Sequence, residues 1–227
     1  NYPFMKIILF VILLFPFALV AQEEKPIKPR NESYITMDLL STYYANFDGK
    51  FFTPRRRFGF IKNINENSKV GLSLGFGNRA TSFYNTGSKY LLWEIRPEYY
   101  HIIKSKEKAI FYYSIELLYI NHNEEFKSQT FRSQQNNYFS FEEADYNRQK
   151  LGVIPKLGVF LNISKRIGIN IYSGVGLKYR INSYSNITNL LLNENFEEES
   201  SPYYRNEGNQ LGIEFSLGLK LYYRLKK

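Results

Sequence analysis

His122 is the residue best suited to acid–base chemistry, with Glu124 and Glu125 just beyond it. A general base needs a nucleophile within hydrogen-bond reach. The position two residues after His122 is Glu124, and the nearest serines downstream are Ser128 and Ser133, in a polar stretch that fixes no geometry. The chain has 2 histidines and no cysteine. That composition excludes disulfides, thiolate zinc sites and cysteine nucleophiles, and leaves little for imidazole metal sites. No phosphate-cradling glycine loop, H-E-x-x-H helix or EF-hand loop is present. Glu194 and Glu197–Glu199 could take a divalent cation bridging lipopolysaccharide phosphates, but a solvated acidic loop explains them more simply. The expectation is no resident metal, no cofactor and no catalytic residue.

What remains for the charged residues is structural, and the composition says what kind of structure. The 227 residues suit one or at most two domains. Tyr 20 and Phe 19 supply most of an 18% aromatic content, against a single Trp. Aromatic residues favour pleated, half-buried surfaces, so the chain leans to all-β. Net charge is +9. The basic residues are scattered over short turns (Lys104, Lys106, Lys108; Lys165, Arg166) and acidic ones gather elsewhere. Nucleic-acid binding needs basic groups on one face, so no nucleic-acid partner is expected.

Asn1 to Phe4 precede the expected initiator, Met5. Met5 and Lys6 lead an apolar run from Ile7 to Val20, followed by Ala21 and Gln22. A run of this length falls short of the about 20 residues of a spanning helix. A basic residue, an apolar core and a small residue at the cut read as a signal peptide over 1–21. Residues 22–32, with Pro26 and Pro29, read as a linker, and 33–227 as the mature domain.

Period-2 alternation runs through that domain and predicts eight strands. They are Ser33–Phe47, Arg56–Ile64, Lys69–Asn78, Lys89–Ile102, Ala109–His122, Gln149–Ile163, Ile167–Asn182 and Asn209–Arg224. In the third, Val70, Leu72, Leu74 and Phe76 share one face, while Gly71, Ser73, Gly75 and Gly77 share the other. Short connections (65–68, 103–108, 164–166) alternate with long ones (48–55, 79–88, 123–148, 183–208). Every short connection therefore falls at one end of the sheet. Even strand count, short turns at one end and long loops at the other predict an eight-stranded antiparallel up-and-down transmembrane β-barrel in a bacterial outer membrane. Many predicted strands reach the about 9–11 residues that a tilted spanning strand needs. A secreted β-sandwich would alternate too, but its strands are usually shorter.

With the aliphatic face toward lipid, the lumen receives Asp38, Arg57, Glu94, Arg96, Glu98, Glu116, Lys156, Lys178, Arg180, Glu214, Lys220 and Arg224. Isolated charges there would be costly, so they must pair or keep water. Level-matching predicts Glu116 with Lys156, Lys178 with Glu214, and Asp38 with Lys220 across the closing seam. Eight strands enclose side chains rather than a channel. The charges therefore read as a packing network, with a proton or ion path as the lesser alternative. Aromatic residues near strand ends (Tyr43, Tyr44, Phe47; Tyr99, Tyr100; Tyr112, Tyr113, Tyr119; Tyr222, Tyr223) suit interfacial girdles. His101, near the short-turn rim, suits the same role.

Ser216-x-Gly218-x-x-Leu221-x-Tyr223 resembles the assembly signal at the end of bacterial outer-membrane proteins, although Arg224–Lys227 follow the aromatic. With the stretches Arg57–Gly77, Trp93–Tyr100 and Arg148–Lys156, the chain resembles a family of small outer-membrane β-barrels of Bacteroidetes-type bacteria. That resemblance implies a location and a fold, and no activity. A lipid-modifying enzyme on such a scaffold would resemble the deacylase or palmitoyltransferase barrels, but the His-x-Ser spacing of the former is missing at His122.

The long outer loops carry the remaining functional expectation. Phe126, Phe131, Tyr138, Phe139, Phe141 and Tyr146 are interleaved with Asn, Gln and Ser. Rigid aromatics among adaptable polar groups suit recognition of a surface glycan or protein. A loop that extends the strands and packs on itself is the equal alternative. Ile187–Leu192 reads as a short helix or a cap over the mouth. The expected partners are outer-membrane lipid, lipopolysaccharide and an unidentified surface ligand. A narrow barrel that binds or passes a small apolar molecule is the alternative role.

Overall fold

The computed structural model describes residues 32–43, 53–82, 86–193 and 206–225. The expected signal peptide, nearly all of the expected linker, Tyr44, Phe47 and the acidic group at 194–199 lie outside them. The described chain is all-β. Its strands are β1 (Ser33–Asp38), β2 (Arg56–Asn63), β3 (Ser68–Asn78), β4 (Ser88–Ser105), β5 (Ala109–Arg132), β6 (Tyr138–Asn162), β7 (Ile167–Thr188), β8 (Leu191–Leu192) and β9 (Gly208–Leu225).

All pairings are antiparallel between strands that neighbour in sequence, apart from the seam and the two-residue β8. Strands β1 to β7 and β9 close a ring, because β1 pairs with both β2 and β9 while β5 pairs with both β4 and β6. The seam register places Ser33 opposite Leu225 and Asp38 opposite Lys220. Strand β8 hangs on β6 beyond the ring, where Leu192 faces Phe139. The region read as a helix or cap at Ile187–Leu192 is thus the end of β7 followed by β8.

The ring is lopsided. β1 and β2 span 6 and 8 residues, whereas β5 and β6 span 24 and 25. The expected first strand stops at Asp38, because the Asp38 carboxylate accepts the backbone N–H groups of Leu40 and Ser41 and turns the chain into a 3-10 turn at Ser41–Tyr43. The expected loop at 123–148 is mostly strand. β5 and β6 stay in register from Asn123 opposite Asn147 to Arg132 opposite Tyr138, and only Ser133–Asn137 turns. The polar residues there pair their side chains across the ladder, such as Thr130 with Ser140, so a composition that reads as loop folds as sheet.

Most outward-facing side chains in the ring are apolar and exposed, among them Leu72, Leu74, Ile115, Leu117, Leu151, Leu177, Ile213 and Phe215, whereas Phe111 and Val159 near the short turns pack into a buried cluster. Inward-facing ones are buried and largely polar, charged or tyrosine.

Candidate functional site

The interior is built in layers. Nearest the short turns lies an aromatic plug of Tyr34, Tyr100, Tyr112, Phe160, Tyr172 and Tyr222. Ring centroids sit 4.9 Å apart for Tyr112–Phe160 and 5.1 Å for Tyr100–Tyr112. Buried phenols need partners, and each finds one: Tyr112 donates to Asn170 at 2.7 Å, Tyr100 to Glu98 at 2.7 Å, and Tyr222 to Asn162 at 2.6 Å. Glycines opposite them make the room. Gly158, Gly218 and Gly168 are the register partners of Tyr112, Tyr172 and Tyr222. A methyl group on any of the three would stand 2.0–2.3 Å from the facing ring or its oxygen.

This corrects the girdle reading. In the three described doublets one tyrosine faces in (Tyr100, Tyr112, Tyr222) and one faces out (Tyr99, Tyr113, Tyr223). Alternation alone dictates that split, and the facing glycines were the sequence signal for Tyr112 and Tyr222. His101 remains at the outer surface, its ring 4.9 Å from Tyr113. Lys69, not anticipated in the interior, donates to Asn63 at 2.5 Å and lies 4.6 Å from the Tyr34 ring.

Above the plug lies a charge layer, with smaller ion pairs at other levels. Asp38 pairs with Arg57, and Arg57 also donates to Tyr172 at 3.0 Å. Glu94 receives Arg55 at 2.8 Å and Arg96 at 3.0 Å. Arg96 reaches Glu116 at 2.7 Å, Lys156 reaches Glu116 at 2.5 Å, and Lys220 reaches Glu98 at 3.4 Å. Lys178 meets Glu214 at 3.1 Å, and Lys150 joins the same carboxylate at 2.6 Å. Arg180 donates to Gln210, and Arg224 lies 3.1 Å from Glu32 at the short-turn end.

The pairing of Asp38 with Lys220 does not form as an ion pair, although the two are register neighbours. Asp38 is also the register partner of Arg57, whose guanidinium takes the carboxylate. The longer Lys220 stem passes the Tyr172 ring at 4.8 Å and crosses to β4. Arg55 lies in the connection before β2, where no alternation flagged it.

Toward the other end, His122 is fully buried between Tyr90 and Tyr146, with ring centroids at 5.1 and 5.7 Å. Its Nε2 lies 3.0 Å from Glu124, whose other oxygen accepts the Gly87 N–H at 2.5 Å. Ser128 lies six residues on, in a left-handed conformation (φ 50°), and the Ser133 hydroxyl accepts the Asn137 N–H. The arrangement clamps β4 to β5.

Beyond this level β5, β6 and β7 continue as an extension. Phe126, Phe131, Phe141 and Tyr146 are buried there, joined by partly buried Phe139 and Tyr184. Phe131 stacks on Tyr184 at 4.3 Å and Phe126 lies 4.9 Å from Tyr146. The aromatic residues read as recognition candidates therefore pack on one another, apart from Tyr138, which is half-buried near Arg132. The outer side of the extension is ionic. Lys89 bridges Glu125 at 2.6 Å and Asp145 at 3.2 Å. The hydrogen bond to Glu125, then that to Asp145, raises the Lys89 pKa. The Lys89 contact lowers Glu125; Asn186 first, then Lys89, lowers Asp145.

Among the described residues no cluster of His, Asp or Glu is placed to hold a metal ion. No helix of the described chain is long and apolar enough to cross a membrane, a test that does not address strands. The sequence matches no known protein family, and no curated protein matches it.

Proposed function

We propose that the chain is an integral outer-membrane β-barrel with a closed, non-conducting interior, and that its strand extension serves contact with a surface glycan or protein. One observation carries this reading: the ring holds a paired charge layer inside and a belt of apolar side chains outside. Ile115, Leu117, Val175, Leu177, Ile213 and Phe215 are each about half exposed, between 47% and 56%. A continuous apolar belt of this kind is far larger than the patches that water-soluble monomers expose. In β9 the outward apolar residues run from Leu211 to Tyr223. Twelve steps at about 3.4 Å, tilted by about 40°, give a band about 30 Å tall, close to a hydrocarbon core.

Exposed Trp93, Tyr99, Tyr113 and Tyr223 suit the polar–apolar boundaries. The signal-like run Ile7–Val20 and the short turns at one end favour export, with those turns in the periplasm. The interior ion pairs and the aromatic plug leave the barrel filled, as expected for eight strands. The role is non-catalytic, because His122 is enclosed by rings and committed to Glu124.

Reconstitution tests this. The protein is expected to refold into liposomes, migrate as a heat-modifiable species on gels, resist alkaline extraction and show no steady conductance in a planar bilayer. A stable soluble monomer without detergent would refute the membrane reading. A large steady conductance would refute the closed interior.

A further inference from the structure

We propose that a polar cleft at the tip of the strand extension binds a neutral, polyhydroxylated ligand, a saccharide. This deepens the surface-contact role proposed above and rests on it for the direction in which the cleft faces. The cleft encloses about 430 Å³, within the about 300–1,000 Å³ of small-ligand sites. One wall is the β5–β6 turn, with Gln134 and Asn136. The other is the segment entering β9, with Asn206, Asn209 and Gln210. The Glu207 N–H donates to the Arg132 carbonyl at 2.9 Å and ties the walls together. Gly208 has φ 90°, and a Cβ there would lie 2.7 Å from Gln134 Cγ, so the close approach of the walls requires glycine.

The lining chemistry selects the ligand class. Its carboxamides each offer both donors and acceptors, which suits hydroxyl groups that also do both. Arg132 and Glu207 add one charge of each sign, so the lining favours neither an anion nor a cation. No lining residue is apolar, so a lipid chain or drug-like ring finds no wall. The Asn206 Oδ1 is shielded from solvent and has no hydrogen-bond partner. It is an acceptor that the protein leaves unpaired beside the cleft. The Asn206 backbone carbonyl is already held by Asn182 at 2.7 Å, and Gln210 is held by Arg180, so this side of the cleft is pre-organised.

The test applies the refolded full chain in detergent micelles to an array of neutral and acidic oligosaccharides, then titrates the best neutral one by calorimetry. Binding to neutral oligosaccharides is expected. Gln134→Ala is expected to weaken it by about tenfold, the scale of one lost polar contact. Asn209→Ala, at an exposed position, is expected to do the same with unaltered gel migration. If Gln134→Ala fails to refold, Asn209→Ala alone decides. No neutral binding by the folded protein, preference for acidic glycans alone, or unchanged affinity in Asn209→Ala would overturn the assignment. Loss of heat-modifiable migration by the unmutated chain would count against the membrane reading instead, so the two failures are distinguishable.

Discussion

Strands β5 and β6 pass through two opposite designs along one continuous ladder. In the ring, the outward residues of β5 are Tyr113, Ile115 and Leu117, and the inward ones include Ser114 and Glu116. In the extension the outward residues are Glu125 and Lys127, and the inward one is Phe126. Strand β6 repeats the change, from Leu151 and Val153 outside to Glu143 and Asp145, and from Lys156 inside to Tyr146. Asn121, Asn123 and Asn147 mark the changeover; Asn123 and Asn147 are joined by a 2.6 Å hydrogen bond. The β5–β6 register is kept across the changeover, so the inversion comes from the residues themselves and fits a change of surroundings. Apolar side chains face out where the account places lipid, and face in where it places water on the outside.

The largest break is expected in the charge layer. Glu116→Ala removes the carboxylate that the buried Arg96 and Lys156 share. Such a loss costs about 3–5 kcal/mol, to be measured by equilibrium unfolding in lipid using the single Trp93 as fluorophore. Glu143→Ala, which removes an exposed partner of Lys127, is expected to shift the unfolding midpoint far less.

The belt gives the next effect. Leu117→Arg should destabilise the reconstituted protein by about 2–4 kcal/mol if that position faces lipid near mid-depth. Lys127→Leu, on the same face ten residues further along, should leave the unfolding midpoint essentially unchanged. Equal effects in the two variants would erase the boundary.

Gly158→Ala tests the plug. The added methyl would stand 2.3 Å from the Tyr112 oxygen and 2.9 Å from the Ile171 carbonyl, so both must shift. Overpacking of this kind costs about 1–3 kcal/mol, read as a lowered denaturation midpoint.

The smallest effect is in pH. The Glu125 and Asp145 carboxyls titrate lower in the folded state. Their contacts with Lys89 therefore contribute fully above the unfolded carboxylate pKa near 4, and fade as pH falls through the folded values. Amide exchange in the extension, corrected for intrinsic rates, is expected to accelerate below pH 4 while the ring stays protected. Acceleration confined to alkaline pH would reverse the sign.

Much of this was legible because period-2 alternation fixes which side chains share a face. It placed Glu116, Lys156, Lys178 and Glu214 inside and on neighbouring strands. It could not place Arg55, which precedes β2, nor the reach of Lys220 across the interior, since side-chain length and barrel shear are not in the pattern. The extension was hidden for a different reason. Polar and charged residues interrupt 123–132 and 140–148 (Asn123, Glu124, Glu125, Lys127, Ser128 and Gln129 on one strand; Ser140, Glu142, Glu143, Asp145 and Asn147 on the other), and β-propensity there comes from cross-strand pairing rather than from the residues themselves. The cleft at the tip joins Gln134 to Asn206 across more than seventy positions, and no local signal announces it.

The central claim is that the alternating outer face of the ring touches lipid. The chain contains no cysteine, so single cysteines introduced one at a time along β9 from Leu211 to Leu217 can carry an environment-sensitive fluorophore without background. In liposomes, labels at 211, 213, 215 and 217 are expected to emit in the blue, resist aqueous iodide and be quenched by lipids brominated on their acyl chains, whereas those at 212, 214 and 216, facing the closed interior, should escape the lipid quencher. Iodide quenching at the odd positions, or no alternation at all, would contradict the account.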